Sequence, residues 1–440
     1  MTATQTLAHA GEQEPGLQLR QNGTDRLVLA YGVLWLIYVV TQFRMPWTPL
    51  SHDGSTTTNM RQAFFTIGVV LAVRRMIYTR TLNQLLGMHL GGLLLGGMLL
   101  ASVVWSTNTT LTIKRSLVYV FGYLMLIALV HIPRHPMRFF MTAVVHATGW
   151  IAWISILAHW LLPAECTTLT IRPGLAGLSS HPNVFGPCLE MAWGLALGLP
   201  TWSRSQKAHK WLMMIGLIVA LVMSNSVTAL LATAVGTLVY FGLTTSNYRA
   251  GALILATIAA GTIAQVIGIA NLKAAFFGMV GRDATMSGRD ELWTDVLDYG
   301  MASPILGGGY GAFWYEGRGL ELTGTWNPRQ AHNSYLDVFV DLGVLGLLLI
   351  LVVVHYQILI GFWRHGARRG TRQRCAVAAL VSMSAGLLCI GAFGESFLLK
   401  LDKFQFFVLF WGVMLLENRD RNHITAEFAA LDVERPTPTR

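Results

Sequence analysis

Val344-Leu345-Gly346-Leu347-Leu348-Leu349-Ile350-Leu351-Val352-Val353-Val354-His355-Tyr356-Gln357-Ile358-Leu359-Ile360-Gly361-Phe362 is a run of nineteen residues without a lysine, arginine, aspartate or glutamate. That is close to the roughly 20 residues a helix needs to cross about 30 Å of hydrocarbon. No water is available there, so every backbone group must bond within its own segment, and the run reads as a membrane helix. Leu85–Trp105, Phe139–Leu162 and Gly251–Ala270 read the same way. The strands of a membrane β-barrel would be shorter and would alternate apolar with polar side chains, whereas these runs are apolar on nearly every face. The fold class expected is an all-α polytopic membrane protein.

Composition agrees. Of 440 residues, 53% are hydrophobic and 12% charged, against about a quarter charged in a soluble domain. Met1–Arg26 is polar, with no apolar core behind a basic stretch, so it reads as a short cytoplasmic tail and not a cleaved signal. The four cysteines, Cys166, Cys188, Cys375 and Cys389, have no CxxC spacing and no histidine at ligand spacing, so neither redox nor zinc chemistry is indicated. The net charge of +10 sits mainly in short loops between apolar runs, which is a topology signal and not a nucleic-acid surface.

Twelve spans are expected: Leu27–Phe43, Gln62–Val73, Leu85–Trp105, Ser116–Val130, Phe139–Leu162, Phe185–Leu199, Trp211–Met223, Thr228–Leu243, Gly251–Ala270, Ser334–Phe362, Cys375–Phe393 and Phe404–Leu416. With both termini in the cytoplasm, fourteen cations fall in inside loops: Arg74, Arg75, Arg80, Arg134, Arg138, Arg204, Lys207, Lys210, Arg249, Arg364, Arg368, Arg369, Arg372 and Arg374. Seven fall in short outside loops, namely Arg44, Arg61, Lys114, Arg115, Arg172, Lys400 and Lys403. The excess inside favours this orientation over its mirror image. The organisation expected is thus a tail at 1–26, nine helices over 27–270, a long outside loop at 271–333, three helices over 334–416 and a cytoplasmic tail at 417–440.

Long loops are where function concentrates. In this one, Ser287-Gly288-Arg289-Asp290 reads as a capping box. Leu292, Trp293, Val296 and Leu297 follow at helical spacing, and Gly300 ends the helix. Next comes Pro304-Ile305-Leu306-Gly307-Gly308-Gly309-Tyr310-Gly311, too rich in glycine for a helix and expected to be a turn packed closely against a neighbour. It lacks the Lys-Ser/Thr of a phosphate-binding loop.

Three outside clusters hold the residues able to do chemistry. Arg172 precedes Ser180-His181-Pro182-Asn183, where His181 and Asn183 flank a proline at the first helical position; taken alone, a loop cation and an ordinary cap are the plainer explanation of this cluster. Arg289 opens a helix whose unsatisfied N–H groups and dipole favour an anion, although Asp290 and Glu291 beside it also suit a plain surface ion pair. His332-Asn333 stands at the mouth of a membrane helix that carries Asp337 and Asp341 in its first turns. An imidazole titrating near 6.5 can take a proton at neutral pH, and a carboxylate can orient it; a structural interfacial histidine is the plainer alternative. A carboxylate inside hydrocarbon costs about 2.5–3.5 kcal/mol on insertion scales, so Asp337 and Asp341 are expected to face the bundle or water.

His332-Asn333, nine residues, then Gly343-Val344-Leu345-Gly346 resembles the H-[NSQ]-x9-G-x-x-G signature of the O-antigen ligases and Wzy-type polysaccharide polymerases. Ser287-Gly288-Arg289-Asp290-Glu291-Leu292-Trp293 and Pro304-x-x-Gly307-x-Gly309 are similar to the segment ahead of that histidine in the ExoQ-like, exopolysaccharide-polymerising members. The stretch from Arg172 to Asn183 resembles the family's earlier outside loop. Val227, in the hairpin Ser224-Asn225-Ser226-Val227-Thr228, departs from it, since many relatives carry a basic residue there.

The resemblance implies a GT-C-like bundle in the bacterial inner membrane. It also implies transfer of an oligosaccharide from an undecaprenyl-diphosphate carrier to a hydroxyl acceptor on the periplasmic face, without a metal or other cofactor. Partners would be the lipid-linked donor, the glycan acceptor, the bilayer, and chain-length and export proteins. Arginine suits a leaving diphosphate through charge-assisted paired bonds, and the chain has no Asp-x-Asp metal motif. The expected roles are Arg172 and Arg289 on the diphosphate, His332 as base for the acceptor, and Asn333 as its orienting partner. Asp341, with His181 and Asn183, would line the site. A ligase acting on lipid A core is the alternative within the family. A transporter or flippase is the alternative of another class, and it would place its polar site near the bilayer midplane.

Overall fold

The structure, a computed structural model, describes residues 23–41, 55–78, 89–167, 174–245, 289–324, 327–366, 372–417 and 423–433. Their regular structure is helical, with one isolated β-bridge between Thr167 and Leu175. In chain order the helices are α1 (Gly23–Thr41), α2 (Ser55–Tyr78), α3 (Leu90–Ala101), α4 (Thr109–His131), α5 (Pro136–Leu161), α6 (Pro182–Gly198), α7 (Arg204–Ser224) and α8 (Val227–Thr244). They continue with α9 (Arg289–Met301), α10 (Arg318–Thr323), α11 (Ser334–Ile350, carried on without a gap to Gly366), α12 (Arg372–Cys389), α13 (Phe404–Glu417) and α14 (His423–Val433).

Seven of the described helices are long and apolar enough to cross a membrane, which makes this a multi-pass membrane protein: α1, α4, α5, α7, α8, α11 and α12. α3, with its 3-10 extension to Trp105, and α13 are shorter apolar helices. The expected span Gly251–Ala270 lies outside the described residues. Of the seven long helices, α12 is the most enclosed, with 83% of its span buried. It lies against α6 and α8 through small residues, which let helix backbones approach closely where lipid gives no hydrophobic drive. A Cβ on Gly198 would stand 2.1 Å from Cys375 O, on Gly236 2.8 Å from Ser382 O, and on Gly386 2.4 Å from Ala232 O.

Charges at one end of the bundle finish the helices. Lys210 Nζ donates to the carbonyls of Leu197 (3.0 Å) and Leu199 (3.1 Å) after α6, and Arg374 Nε to Leu243 O (2.8 Å) near the end of α8. Glu417 accepts from Gly91 N (2.7 Å) at the start of α3. Each satisfies backbone groups that a helix end leaves open, with the sign its dipole favours. Arg374 and Arg75, expected in loops, are buried within helices, and Arg75 is paired with Asp25.

The segment after Leu416, expected as a tail, contains α14 docked on the bundle. Ile424, Phe428 and Leu431, spaced along one helix face, are buried, and Glu427 accepts from Met137 N (3.1 Å) and Arg138 N (2.9 Å) at the start of α5.

At the other end lies a lobe built on α9 and α10. Leu292 and Val296 of α9 bury with Phe313, Trp314, Ala331, Phe339 and Val340 as a second core. α9 runs one residue past Gly300, and Leu297, expected on its apolar face, is 46% exposed.

Candidate active site

The lobe is locked to the bundle through a break in α11. Gly343 sits at φ 63°, ψ −161°, conformations a helix cannot hold, so the carbonyls before it and the N–H groups after it lose their helical partners. The glycine-rich stretch fills the gap. Gly308 N donates to Val340 O and Gly309 N to Asp341 O, both at 2.9 Å. In return Val344 N donates to Pro304 O (2.8 Å) and Leu345 N to Ile305 O (3.3 Å). No Cβ fits at Gly343, where it would stand 2.3 Å from the Ile305 carbonyl, or at Gly307, 2.5 Å from Asp341 C. The first glycine after His332-Asn333 and the Pro-x-x-Gly-x-Gly run are thus two halves of one joint.

The segment Gln330–Asn333 leads into α11. Asp337 Oδ1 accepts from Ala331 N (3.0 Å) and Trp314 Nε1 (2.9 Å), while its Oδ2 is paired with Lys400 Nζ (3.1 Å). Trp293 Nε1 of α9 donates to Ala331 O (2.8 Å), and Asn333 N donates to Ser396 Oγ (3.2 Å). Asn333 Oδ1 caps α11 by accepting from Tyr335 N (3.1 Å) and Leu336 N (3.2 Å). These anchors hold His332 at φ 52°, a left-handed conformation that few non-glycine residues adopt. Such a residue persists only where its surroundings over-determine it, and it clusters at functional sites.

Around His332 the side chains form a connected set. Its Nδ1 lies 3.7 Å from Glu395 Oε1 and 3.2 Å from Gln330 Nε2, and the two ionisable side chains are 22% and 13% exposed. Gln330 Nε2 donates to Glu395 Oε2 (2.7 Å), and Lys403 Nζ donates to Gln330 Oε1 (2.9 Å) and Ser396 O (2.8 Å). Burial, then the charge of Lys400, pulls the Lys403 amine down to about 8. His181 belongs to the same neighbourhood. Burial lowers its pKa, the negative charge of Glu395 raises it, and the charge of His332 lowers it again.

Of the residues expected to build a site, His332 and His181 are therefore brought together, from two separate loops. His181 Nδ1 caps α6 by accepting from Asn183 N (3.1 Å), which leaves its proton on Nε2. Asn333 contributes mainly as a cap. Asp341, eight residues beyond it, lies about 12 Å along α11, buried under the glycine-rich loop. Arg172 lies outside the described residues, and Arg289 is described only as the first backbone residue of α9.

Glu395 and Gln330 were missed. Glu395 sits in the short link after α12 with no motif around it, and its only sequence signal was a carboxylate between two apolar runs. Arg115, expected as a loop cation, clamps the lobe by donating to the carbonyls of Gly311 and Trp314. Among the described residues no group of three His, Cys, Asp or Glu side chains is placed to hold a metal ion.

The family model described as O-antigen ligase matches residues 212–351, which takes in α9, the glycine-rich joint and His332. The chain is also 29% identical over 154 residues to the exopolysaccharide production protein ExoQ of Rhizobium meliloti (strain 1021). That match covers 32% of this chain and 35% of the relative, so the chain spans about a third of the length of the curated relative it matches. Both support an O-antigen ligase/ExoQ-like family.

Proposed function

We propose that this O-antigen ligase/ExoQ-like membrane protein is a glycosyltransferase of the bacterial inner membrane, joining undecaprenyl-diphosphate-linked oligosaccharides into exopolysaccharide at its periplasmic end. The observation that carries the reading is His332, held in a left-handed conformation by bonds from α9, α11 and the 394–403 link, with the Glu395 carboxylate beside its ring. A histidine kept in place at such backbone strain, beside a carboxylate and near a second histidine from another loop, fits a general base.

In the reaction the acceptor hydroxyl attacks the anomeric carbon of the donor. The new glycosidic bond forms as the bond from that carbon to the diphosphate breaks, and the lipid diphosphate leaves with the electron pair. His332 Nε2 takes the hydroxyl proton, which requires the imidazole's own proton on Nδ1, facing Glu395. Gln330, oriented by Lys403, competes for Nδ1, so substrate binding would close the 3.7 Å gap to Glu395 and turn the tautomer to the productive one. Arg172 and Arg289 are assigned to the leaving diphosphate, Arg289 at the start of α9, where the helix dipole favours an anion. His181 and Asn183 are assigned to the substrate side of the site, whereas Asn333, as the cap of α11, and Asp341, buried under the glycine-rich loop, are assigned to holding it in shape. Chain-length and export proteins are proposed partners. Two cytoplasmic termini agree with the cations that finish helices at the opposite end.

The test is deletion with complementation. Loss of long polymer, with single carrier-linked repeats accumulating, and failure of His332→Ala at normal abundance to restore it, is the expected result. Free polymer that no longer reaches lipid A core would make the protein a ligase. Unchanged glycans with altered solute uptake would make it a transporter. For sidedness, Glu316→Cys should react with an impermeant maleimide in cells with a permeabilised outer membrane, and Arg204→Cys should not.

A further inference from the structure

Between the lobe and the turn that joins α3 to α4 lies a hollow of about 310 Å³, lined by Thr107, Asn108, Tyr299, Phe313, Tyr315 and Arg318. The mechanism above uses none of these residues. Arg318 lies over three rings, 4.9 Å from the centroids of Tyr299 and Phe313 and 5.6 Å from that of Tyr315. Its guanidinium donates to Tyr315 Oη (3.3 Å) and Glu321 Oε2 (3.2 Å), and Tyr315 Oη donates to the same carboxylate. The short helix α10 that carries Arg318 is bracketed by Gly317 at φ 88° and Gly324 at φ 67°. The aromatic group is therefore fixed in advance, yet Tyr315 remains 38% exposed and keeps ring surface for a ligand.

We propose that this hollow is a glycan subsite, taking pyranose rings of the chain at a distance from the reacting end; its place in catalysis, though not its binding, rests on the function proposed above. Pyranoses offer apolar C–H faces with hydroxyls at the rim. The hollow offers the matching wall: aromatic surface with a few fixed polar groups, Thr107 and Asn108 opposite Tyr315 and Arg318. Arg318 is already neutralised by Glu321, so recognition rests on stacking and hydroxyl bonds, and salt has little effect. Position fits too. On α9, Trp293 bonds Ala331 beside His332, and Tyr299, six residues on, lies about 9 Å further along the axis. A chain held at the hollow would be tethered while its end reacts, which favours repeated addition.

The direct test is calorimetry on the purified full chain in detergent. The probe is a set of oligosaccharides released by partial acid hydrolysis of the surface polysaccharide of the cells that make it. Tyr315→Ala should weaken binding by about tenfold. Tyr315→Phe, which keeps the ring, should stay within about threefold of the unaltered protein, and raised salt should change neither. Equal affinity in Tyr315→Ala, or no binding by the unaltered chain, overturns the subsite, with matched thermal unfolding as the folding control. In cells, Tyr315→Ala should shorten the polymer while the first repeats are still joined, and polymer of normal length counts against the subsite. Ring-dependent binding together with normal glycan in His332→Ala would sink the enzymatic reading and leave the subsite standing.

Discussion

His332 shows what a single residue can reveal and conceal. Its place in a spaced signature was visible in the chain, because such signatures record residue types at fixed intervals. Its backbone strain was not, since a left-handed conformation leaves no mark on the identity of a histidine. Strain of this kind costs about 1–3 kcal/mol. Glu395 was equally hidden, because the contact spans 63 positions and depends on how the link after α12 folds back over Ser334, whose hydroxyl donates to Glu395 O at 2.8 Å. The residue-scale prediction follows from that contact. Glu395→Gln should lower kcat by about 10²-fold, within the range that positioned acid–base groups supply, and leave KM for the donor nearly unchanged. Turnover of carrier-linked repeats by purified protein checks it, and a change confined to KM would reassign Glu395 to binding.

Among the elements, α11 departs furthest from expectation. Its apolar run was legible as a helix from composition alone, and α9 was legible from the spacing of Leu292 and Val296. The break at Gly343 was not, because a glycine within an apolar helix is common and periodicity continues across it. Only the pairing of Gly308 and Gly309 with Val340 and Asp341 explains why glycines recur on both sides. Gly343→Ala should therefore do more than add a methyl group. It forces a left-handed alanine against the Ile305 carbonyl, and the combined strain and clash should cost more than about 3 kcal/mol. Gly97→Ala is the control, since nothing lies within 4 Å of its Cβ. Thermal unfolding in detergent should fall sharply for the first and stay level for the second.

For the molecule as a whole, hydropathy identified a helical membrane bundle, and the placement of cations suggested which end is which. It did not foresee α14, because an eleven-residue helix that binds through three apolar side chains looks like a charged tail until its partner surface exists. Burial raises the Glu427 carboxyl to about 7, outweighing the two N–H groups that favour its charged form. A carboxyl raised on docking binds its proton more tightly in the docked state. Docking is then strongest below the free value near 4.5 and weakens as pH rises towards about 7. Hydrogen exchange over 423–433 should quicken across that window, and Glu427→Gln should abolish the dependence.

The interrupted helix also bears on how the chain is made. Pro304–Gly309 is synthesised before Ser334, so the filler is already made by the time α11 emerges. Until the two meet, α11 has every reason to stay straight, since an open gap in hydrocarbon would leave several backbone groups unbonded at several kcal/mol each. Breaking α11 and closing the joint behind His332 should therefore be one coupled step of folding, since neither half satisfies its backbone groups without the other.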